Sequence, residues 1–223
     1  MPVERVSVVG GTGQEGFGLA LRWAAAGIEV VIGSRDEARA KSAVARLAEL
    51  VPSAAVRGLA NPEAVAAAAA VVVTVPFAGQ AAIYKSVAEE LRPGTVVVDC
   101  TVPVAAAVGG RASRVLGVWE GSAAQQAAAI VAARDVHMAA AFHSLSASAL
   151  ADLTSSLDGD VLTAGGKAAK EAVKELVEAL PGLRFVDAGP LENARLVEPL
   201  TALLIGINRR YATDRSGLRI TGI

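Results

Sequence analysis

The residues with the clearest chemistry lie near the N-terminus, in the segment VSVVGGTGQEGFGLA, where Gly11-x-Gly13-x-x-Gly16 separates an apolar run from a helical pattern. In such a loop Gly11 permits a tight turn, Gly13 lets the backbone approach a pyrophosphate, and Gly16 lets the helix pack closely on the strand. The helix start also offers free N–H groups to phosphates. An ordinary glycine turn would look similar, but the flanking strand and helix, with a second strand ending at the right distance, favour dinucleotide binding.

A second cluster, GSRDEAR, follows the next predicted strand, and Ser34 stands eighteen positions after Gly16. NAD-binding proteins carry an acidic residue for the ribose near this place. A serine can instead donate to a 2′-phosphate, Arg35 can pair with it and stack on adenine, and Arg39 can add a second positive charge. Solvated arginines are the alternative, but cations are mildly unfavourable at a helix start. The cluster therefore predicts NADP rather than NAD.

Two further segments end predicted strands at the carboxyl edge of the sheet, namely VTVPFAGQ (residues 73–80) and CTVPVA (residues 100–105). In a doubly wound sheet this edge lines the cleft where a nicotinamide ring would lie. Pro76 and Pro103 stop the two strands and stiffen their loops. A role as simple strand terminators explains both prolines equally well, and the sequence leaves the two interpretations open.

The chain offers few groups for acid–base catalysis. His143, in AAAFHSLSA just after a predicted strand, is the best placed, although a single histidine at a strand end is often structural. His137 precedes the same strand and is expected at the opposite edge. No spacing of His, Cys and carboxylates typical of a metal site is visible. A nicotinamide enzyme with so little acid–base equipment could pass hydride to a flavin-like ring that handles its own protons.

Composition limits the other classes of function. The net charge of −1 gives no signal for nucleic acid or an acidic membrane surface, and Gly or Pro breaks the apolar runs before they reach a membrane-spanning length. The single cysteine, Cys100, cannot form an internal disulfide, and the N-terminus lacks the apolar region of a signal peptide. These features predict a cytoplasmic protein.

Alternating apolar runs and helical patterns position these residues. Strands are expected at residues 6–9, 30–32, 71–75, 96–99, 138–142, 161–164 and 185–188, and helices at residues 16–26, 36–50, 62–69, 80–91, 122–133, 166–180 and 191–211. The order predicts an α/β fold, with a Rossmann-type doubly wound parallel sheet over residues 1–134 and a smaller C-terminal α/β domain over residues 135–223. The long apolar helix that ends this domain is expected to pack in a core or a dimer interface.

Several segments together resemble the NADPH:coenzyme F420 oxidoreductases, also called F420-dependent NADP reductases. VVGGTGQEGFGLALRWAAAGIEVVIGSR is similar to that family's N-terminal stretch, and VTVPF, VPV and AFHSLSA follow in the family's order. VDAGPLENARLVEPLTALLI (residues 186–205) is similar to its C-terminal signature and is much more specific than the glycine motif. The resemblance covers essentially the whole chain.

The resemblance implies reversible hydride transfer between NADP(H) and the deazaflavin coenzyme F420 in a cytosolic homodimer. It implies that Thr12 and Gln14 of the glycine loop bind NADP(H), and that Ser34, Arg35 and Arg39 bind the 2′-phosphate. The residues that it places around the two rings are Val75, Pro76 and Phe77 at the nicotinamide, and Val102, Pro103, His143, Leu145, Gly217 and Leu218 at the deazaflavin.

Other functions stay open at this point. An NADPH-dependent reductase of a small carbonyl or imine would need a proton donor, for which His143 is the candidate, and a non-catalytic NADP(H)-binding module would need none. Arg209, Arg210, Arg215 and Arg219 form a basic C-terminal segment. It could contact the anionic tail of the deazaflavin, but solvated cations are the slightly favoured interpretation.

Overall fold

The apolar runs of the sequence become the strands of one sheet. The computed structural model describes residues 3–223, and its strands are β1 (Arg5–Val9), β2 (Glu29–Ser34), β3 (Val56–Ala60), β4 (Ala70–Val73), β5 (Val96–Asp99), β6 (His137–Ala140), β7 (Gly159–Gly165) and β8 (Leu183–Asp187). Their order in the sheet is β3-β2-β1-β4-β5-β6-β7-β8. Neighbouring strands are parallel except β6 and β7, which are antiparallel. The first six strands therefore have the doubly wound order of a dinucleotide-binding fold.

The register of the parallel strands brings the loops of interest to one edge. Val9 of β1 lies opposite Gly33 of β2 and Val73 of β4. Val73 lies opposite Asp99 of β5, and Asp99 lies opposite Ala140 of β6. The segments that follow these strands are consequently neighbours in space, and they include all the motifs singled out in the first 145 residues of the sequence.

Helices cover both faces of the sheet. They are α1 (Gln14–Ala25), α2 (Glu37–Leu50), α3 (Asn61–Ala66), α4 (Phe77–Val87), α5 (Ala123–Ile130), α6 (Ala147–Ala151), α7 (Lys167–Glu178), α8 (Ala194–Val197) and α9 (Leu200–Tyr211). Successive strand residues point to opposite faces. Val72 and Val98 accordingly share a buried cluster with residues of α1, α2 and α7, whereas Val71 and Val97 share another with residues of α4 and α5. Burial on both faces explains the continuous apolar runs.

Strand β3 is an edge strand that the sequence patterns do not predict. Its apolar run is interrupted by Arg57 and Gly58, and none of its residues is fully buried. A Cβ on Gly58 would lie 2.7 Å from the backbone carbonyl carbon of Ala40 in α2, so the helix packs directly on the strand backbone there. Close approach to the helix explains a glycine in this strand.

The single helix predicted over residues 191–211 is wrong. The segment contains a 3₁₀ turn at Leu191–Asn193, then α8, then α9, with Pro199 between the two α-helices. Proline lacks an N–H and cannot continue a helical hydrogen-bond ladder. The helix α9 is also less enclosed than its composition suggests, because Leu203 is 56% exposed.

The strands after residue 134 extend the same sheet. Strand β6 pairs with β5, and Val161 of β7 and Leu176 of α7 belong to the same buried cluster as Val6 of β1. The division into two domains at residue 134 stays a prediction. Within residues 3–223, no helix is long and apolar enough to cross a membrane.

Candidate active site

The glycine loop between β1 and α1 forms a tight turn, and its left-handed residue is Gly10. Its φ of +81° lies in the left-handed region, and a Cβ there would lie 2.8 Å from Cγ1 of Val75. Gly11 belongs to the same turn, because its N–H donates to the Val8 carbonyl at 3.2 Å. A Cβ on Gly11 would lie 2.9 Å from that oxygen, so the turn requires a glycine here as well, although the left-handed residue is Gly10. Gly16 packs against Thr74, as the motif predicts, because a Cβ there would overlap its hydroxyl.

The start of α1 is open for an anion. Gly13 is the N-cap residue and no side chain caps the helix. The first N–H groups of a helix have no partner within it, and its dipole favours negative charge at this end. A Cβ on Gly13 would meet no atom closer than 3.4 Å, so this glycine leaves the approach to the loop unobstructed. Gln14 is the exposed first residue of α1.

A cleft of about 500 Å³ joins this loop to the end of β2. The residues that line it are Gly10, Thr12, Gly13, Ser34, Arg35, Arg39, Asn61, Thr74, Val75, Pro76, Ala78, Gly79 and Ile83. The predicted 2′-phosphate residues and two of the predicted nicotinamide residues therefore border the same cavity as the glycine loop. The cleft lies at the carboxyl edge of the sheet, where the strand order reverses and nucleotides bind in this class of fold.

The positive charge beside Ser34 is not neutralised by the neighbouring acids. Within residues 3–223, neither Arg35 nor Arg39 forms a salt bridge, and both are exposed. Asp36 caps α2 by accepting from the Ala38 N–H at 2.9 Å, and Glu37 pairs with a lysine one turn later at 2.8 Å. The acids stabilise the helix start, and the two arginines remain available for an anion.

The serine of this cluster is held in place by the backbone. Ser34 is 5% exposed, and its Oγ accepts a hydrogen bond from the Asp36 N–H at 3.2 Å. A hydroxyl that accepts one bond still has a proton to donate. Ser34 therefore presents a fixed donor next to two exposed cations, which is an arrangement suited to a phosphate monoester.

The ends of β4 and β5 are tied together behind the cleft. The Thr101 hydroxyl donates to the Val75 carbonyl at 3.4 Å. Asp99, the buried last residue of β5, accepts a hydrogen bond from the Tyr84 hydroxyl at 2.7 Å and another from the Gln80 amide at 2.9 Å. Burial raises the pKa of Asp99 to about 6, although these hydrogen bonds oppose the rise. The polar network fixes the strand ends that border the predicted hydride-transfer site.

His143 is buried and neutral. It follows Phe142, whose φ of +68° is rare for a bulky residue, so the chain is strained where it turns into this segment. Burial lowers the pKa of His143 to about 4, although the nearby Asp99 carbonyl opposes the shift. Neither ring nitrogen has a hydrogen-bond partner among the described residues. A neutral imidazole is a weak proton donor at neutral pH, so this site has little capacity for general acid catalysis.

A second, smaller cleft of about 200 Å³ lies beside the loop after β6. It contains three of the predicted deazaflavin residues, Leu145, Gly217 and Leu218, together with several serines. The C-terminal segment closes it, because the Asp160 N–H donates to the Leu218 carbonyl at 2.8 Å. The other predicted ring contacts, namely Phe77, Val102, Pro103 and His143, border neither cleft.

Two arginines of the basic C-terminal segment are in ion pairs rather than free in solvent. Arg219 and Arg184 both bind the fully buried carboxylate of Asp160, and Arg215 binds Asp152 at 3.0 Å. Hydrogen bonds from Arg184 in particular hold the pKa of Asp160 well below its usual range. Arg215 and Arg219 are exposed, as the solvated interpretation predicts, but their ion pairs also anchor the segment that closes the second cleft.

Comparison with known proteins identifies the relatives of this chain. Residues 5–103 match the family model described as NADP oxidoreductase coenzyme F420-dependent. Over 99% of the chain, 42% of the residues are identical to the F420-dependent NADP reductase of Methanothermobacter thermautotrophicus, of which the alignment covers 96%. The chain belongs to the F420-dependent NADP reductase family. A further member, from Methanocaldococcus jannaschii, is 33% identical over 98% of this chain and 99% of its own.

The fold is also that of a solved relative. A crystal structure of a candidate F420-dependent NADP reductase from Arthrobacter sp. FB24 superposes with a TM-score of 0.82 at 24% identity, covering 99% of this chain and 100% of that one. The predicted family and the predicted Rossmann-type fold are therefore confirmed. The roles of individual residues at the two clefts stay predictions.

Two polar residues of this family member were not predicted from the motifs. Glu15 lies in the first turn of α1, its Oε1 atom is buried without a partner among residues 3–223, and burial, with the charge of Asp99, raises its pKa to about 8. Asn61 is 3% exposed and lines the larger of the two clefts described above, the large cleft of about 500 Å³. An acid in the first turn of a helix that is predicted to bind phosphate was a visible signal for Glu15. Asn61 follows a strand that the sequence did not reveal.

Proposed function

We propose that the chain catalyses reversible hydride transfer between NADP(H) and coenzyme F420. The observation that carries this proposal is the 42% identity, over 99% of the chain, to a protein named F420-dependent NADP reductase. The cleft at Ser34, Arg35 and Arg39 supports the NADP half of the reaction, because a ribose-binding acid is replaced by a hydroxyl and two available cations.

The protein residues bind and orient in this proposal. The glycine loop and the open start of α1 would hold the pyrophosphate, and Ser34, Arg35 and Arg39 would hold the 2′-phosphate. Val75 and Pro76 would form an apolar wall that excludes water from the nicotinamide. When both cofactors are bound, they supply the chemistry itself, which is hydride transfer between nicotinamide C4 and deazaflavin C5.

The residues around the second cleft would serve the deazaflavin. We propose that Leu145, Gly217 and Leu218 contact it there, with Val102, Pro103 and His143 on the side toward β5 and Phe77 near the nicotinamide. Burial lowers the pKa of His143 to about 4, which weighs against a role as proton donor, and a carbonyl or imine reductase would require that role. The structure of the histidine thus supports the deazaflavin proposal over that alternative.

The direct test mixes the protein with NADPH and oxidised F420 and follows the loss of the deazaflavin absorbance. The proposal expects turnover with NADPH that greatly exceeds turnover with NADH. Confirmed NADPH binding without any F420 reduction would contradict the proposal and would favour a non-catalytic NADP(H)-binding module.

We also propose that the protein is a cytoplasmic homodimer. The support for a dimer is the exposure of two leucines, Leu196 of α8 and Leu203 of α9, which are 57% and 56% exposed. Side chains of this kind are usually covered when several lie together. Light scattering coupled to size exclusion should give twice the chain mass of 22.5 kDa, and a monomer at micromolar concentration would contradict the dimer.

A further inference from the structure

Asn61 is a buried polar side chain at the nucleotide edge of the sheet. It follows Ala60, which pairs with Ser34 in the register of β2 and β3, so it emerges beside the predicted 2′-phosphate residues. It is 3% exposed, and its Oδ1 atom has no hydrogen-bond partner among residues 3–223. Buried amide groups are normally hydrogen-bonded, so an unpartnered one needs an explanation.

Helix capping does not explain this asparagine. The N-cap residue of α3 is Ala60, no side chain caps the helix, and Asn61 is already the first helical residue. Its carboxamide is instead wedged against the strand, since a Cβ on Gly33 would lie 3.0 Å from Asn61 Oδ1 and 3.1 Å from Ala64 Cβ. Oδ1 is therefore packed against β2, and Nδ2, the other polar atom of a carboxamide that forms no hydrogen bond to the described residues, is the one that can face the cleft.

The position of Asn61 in the large cleft indicates which part of a ligand it would meet. The glycine loop lies at one end of this cleft, and Ser34 and Arg35 lie beside the end of β2. With the pyrophosphate at the glycine loop and the 2′-phosphate at Ser34 and Arg35, the ribose that carries both would lie between them, and its adenine would extend into the rest of the cleft. Ala78, Gly79 and Ile83 offer this space an apolar wall that suits a flat base.

We propose that Asn61 recognises the adenine base of NADP(H) through a hydrogen bond from its Nδ2 atom to a ring nitrogen of the base. The amide nitrogen is a donor, and adenine offers N1 as an acceptor at the edge that also carries its amino group. The proposal rests on the proposed function only in that it requires the cleft to bind NADP(H). Arg35 and Arg39 would then distinguish NADP from NAD, while Asn61 would distinguish adenine from other bases.

The test compares the binding of three reduced dinucleotides, namely NADPH, NADH and the analogue of NADPH in which hypoxanthine replaces adenine. Hypoxanthine carries an N1–H donor where adenine has the N1 acceptor, and Oδ1, packed against Gly33, cannot turn to accept from it. The protein should bind NADPH about tenfold more tightly than the analogue, as expected for one lost hydrogen bond that leaves a buried group unpaired. Asn61→Ala and Asn61→Ser should weaken NADPH binding and remove this preference, while the ratio of NADPH to NADH affinity should stay unchanged.

Ser7→Ala is the matched control. Ser7 is fully buried and its hydroxyl bonds to the Ala64 carbonyl of α3, so the variant loosens the same helix without altering the cleft lining. It should retain the preference for adenine. An equal loss of preference in Ser7→Ala would overturn the proposal, because displacement of α3 would then explain the effect.

Two other results would also overturn it. Equal affinity of the unmodified protein for NADPH and the hypoxanthine analogue would do so even if every Asn61 variant failed to fold. A reduced ratio of NADPH to NADH affinity in the Asn61 variants would place the contact at the 2′-phosphate. Base preference is read from binding alone, so a protein that keeps it but fails to reduce F420 contradicts the proposed function and leaves the role of Asn61 supported.

Discussion

Replacing Arg35 by Asp should convert the 2′-phosphate site from attractive to repulsive. Arg35 borders the cleft, is exposed and forms no salt bridge within residues 3–223, so the substitution breaks no pair in the free protein. The loss of one charge-assisted hydrogen bond at an exposed site should cost about 1.5–2 kcal/mol. Repulsion between the new carboxylate and a phosphate of about −2 charge, at roughly 6 Å in water, adds about 1–1.5 kcal/mol.

The sum of about 3 kcal/mol corresponds to a weakening of NADPH binding on the order of 100-fold. NADH lacks the 2′-phosphate, and its affinity should change by less than about threefold, since Arg35 would lose at most a stacking contact with adenine. The assay is a titration of both dinucleotides, followed by nicotinamide fluorescence, at low and at moderate salt. The effect on NADPH should shrink at higher salt because exposed charges are screened.

The matched control is Arg92→Asp, which makes the same charge change at an exposed arginine that precedes β5, at the opposite edge of the sheet. It should leave the affinity for NADPH within about twofold, because the two sites are separated by more than a screening length of about 10 Å. An equal fall in NADPH and NADH affinity in Arg35→Asp would refute the phosphate interpretation of this residue.

Three further predictions concern the loop and the buried acids and bases. Gly10→Ala should lower the free energy of unfolding by about 1–2 kcal/mol more than Gly94→Ala, because both glycines have a φ of +81° but only a Cβ on Gly10 would meet Val75. Of the two variants, Gly10→Ala alone should weaken NADPH binding. Equal losses of unfolding free energy in denaturant titrations would contradict this. His143→Ala should keep F420 reduction within about tenfold, as should the exposed control His137→Ala, and complete loss of activity in the first would restore a proton-donor role. Glu15→Gln should stabilise the protein by an amount that grows as pH rises from 4.5 to about 8 and is constant above that. In this range the carboxyl of the unfolded parent ionises, whereas the buried carboxyl of the folded parent does not. Urea titrations that give the same difference in unfolding free energy across this range would contradict the prediction.

The sequence predicted the part of the fold that is buried on both faces. The runs around Val8, Val31, Val72 and Val98 are continuous because both of their faces are covered, and each became a central strand. Strand β3 was missed because an edge strand needs no such run and Arg57 interrupts it. Its omission hid Asn61, since nothing in the dipeptide Asn-Pro distinguishes a nucleotide contact from the start of a helix.

Other errors came from effects that act over long distances. The doublet Gly10-Gly11 is ambiguous in sequence, and only the folded backbone shows that Gly10 is the left-handed residue. The pKa of Glu15 is raised by burial and by the charge of Asp99, which lies far along the chain. The charges at Arg215 and Arg219 looked free because their carboxylate partners lie about sixty residues earlier. Residue types therefore indicated the chemistry, whereas tertiary contacts decided which residues were available for it.

The central claim, direct hydride transfer from NADPH to F420, is tested most directly with an isotope. NADPH deuterated at C4, on each face of the ring in separate reactions, is mixed with oxidised F420 and the protein, and the reduced deazaflavin is analysed by mass spectrometry. One of the two labelled forms should transfer its deuterium quantitatively to the deazaflavin, because no protein group exchanges the hydride with solvent. Reduced F420 without deuterium from either form, with the label recovered in water, would contradict direct transfer between the two cofactors.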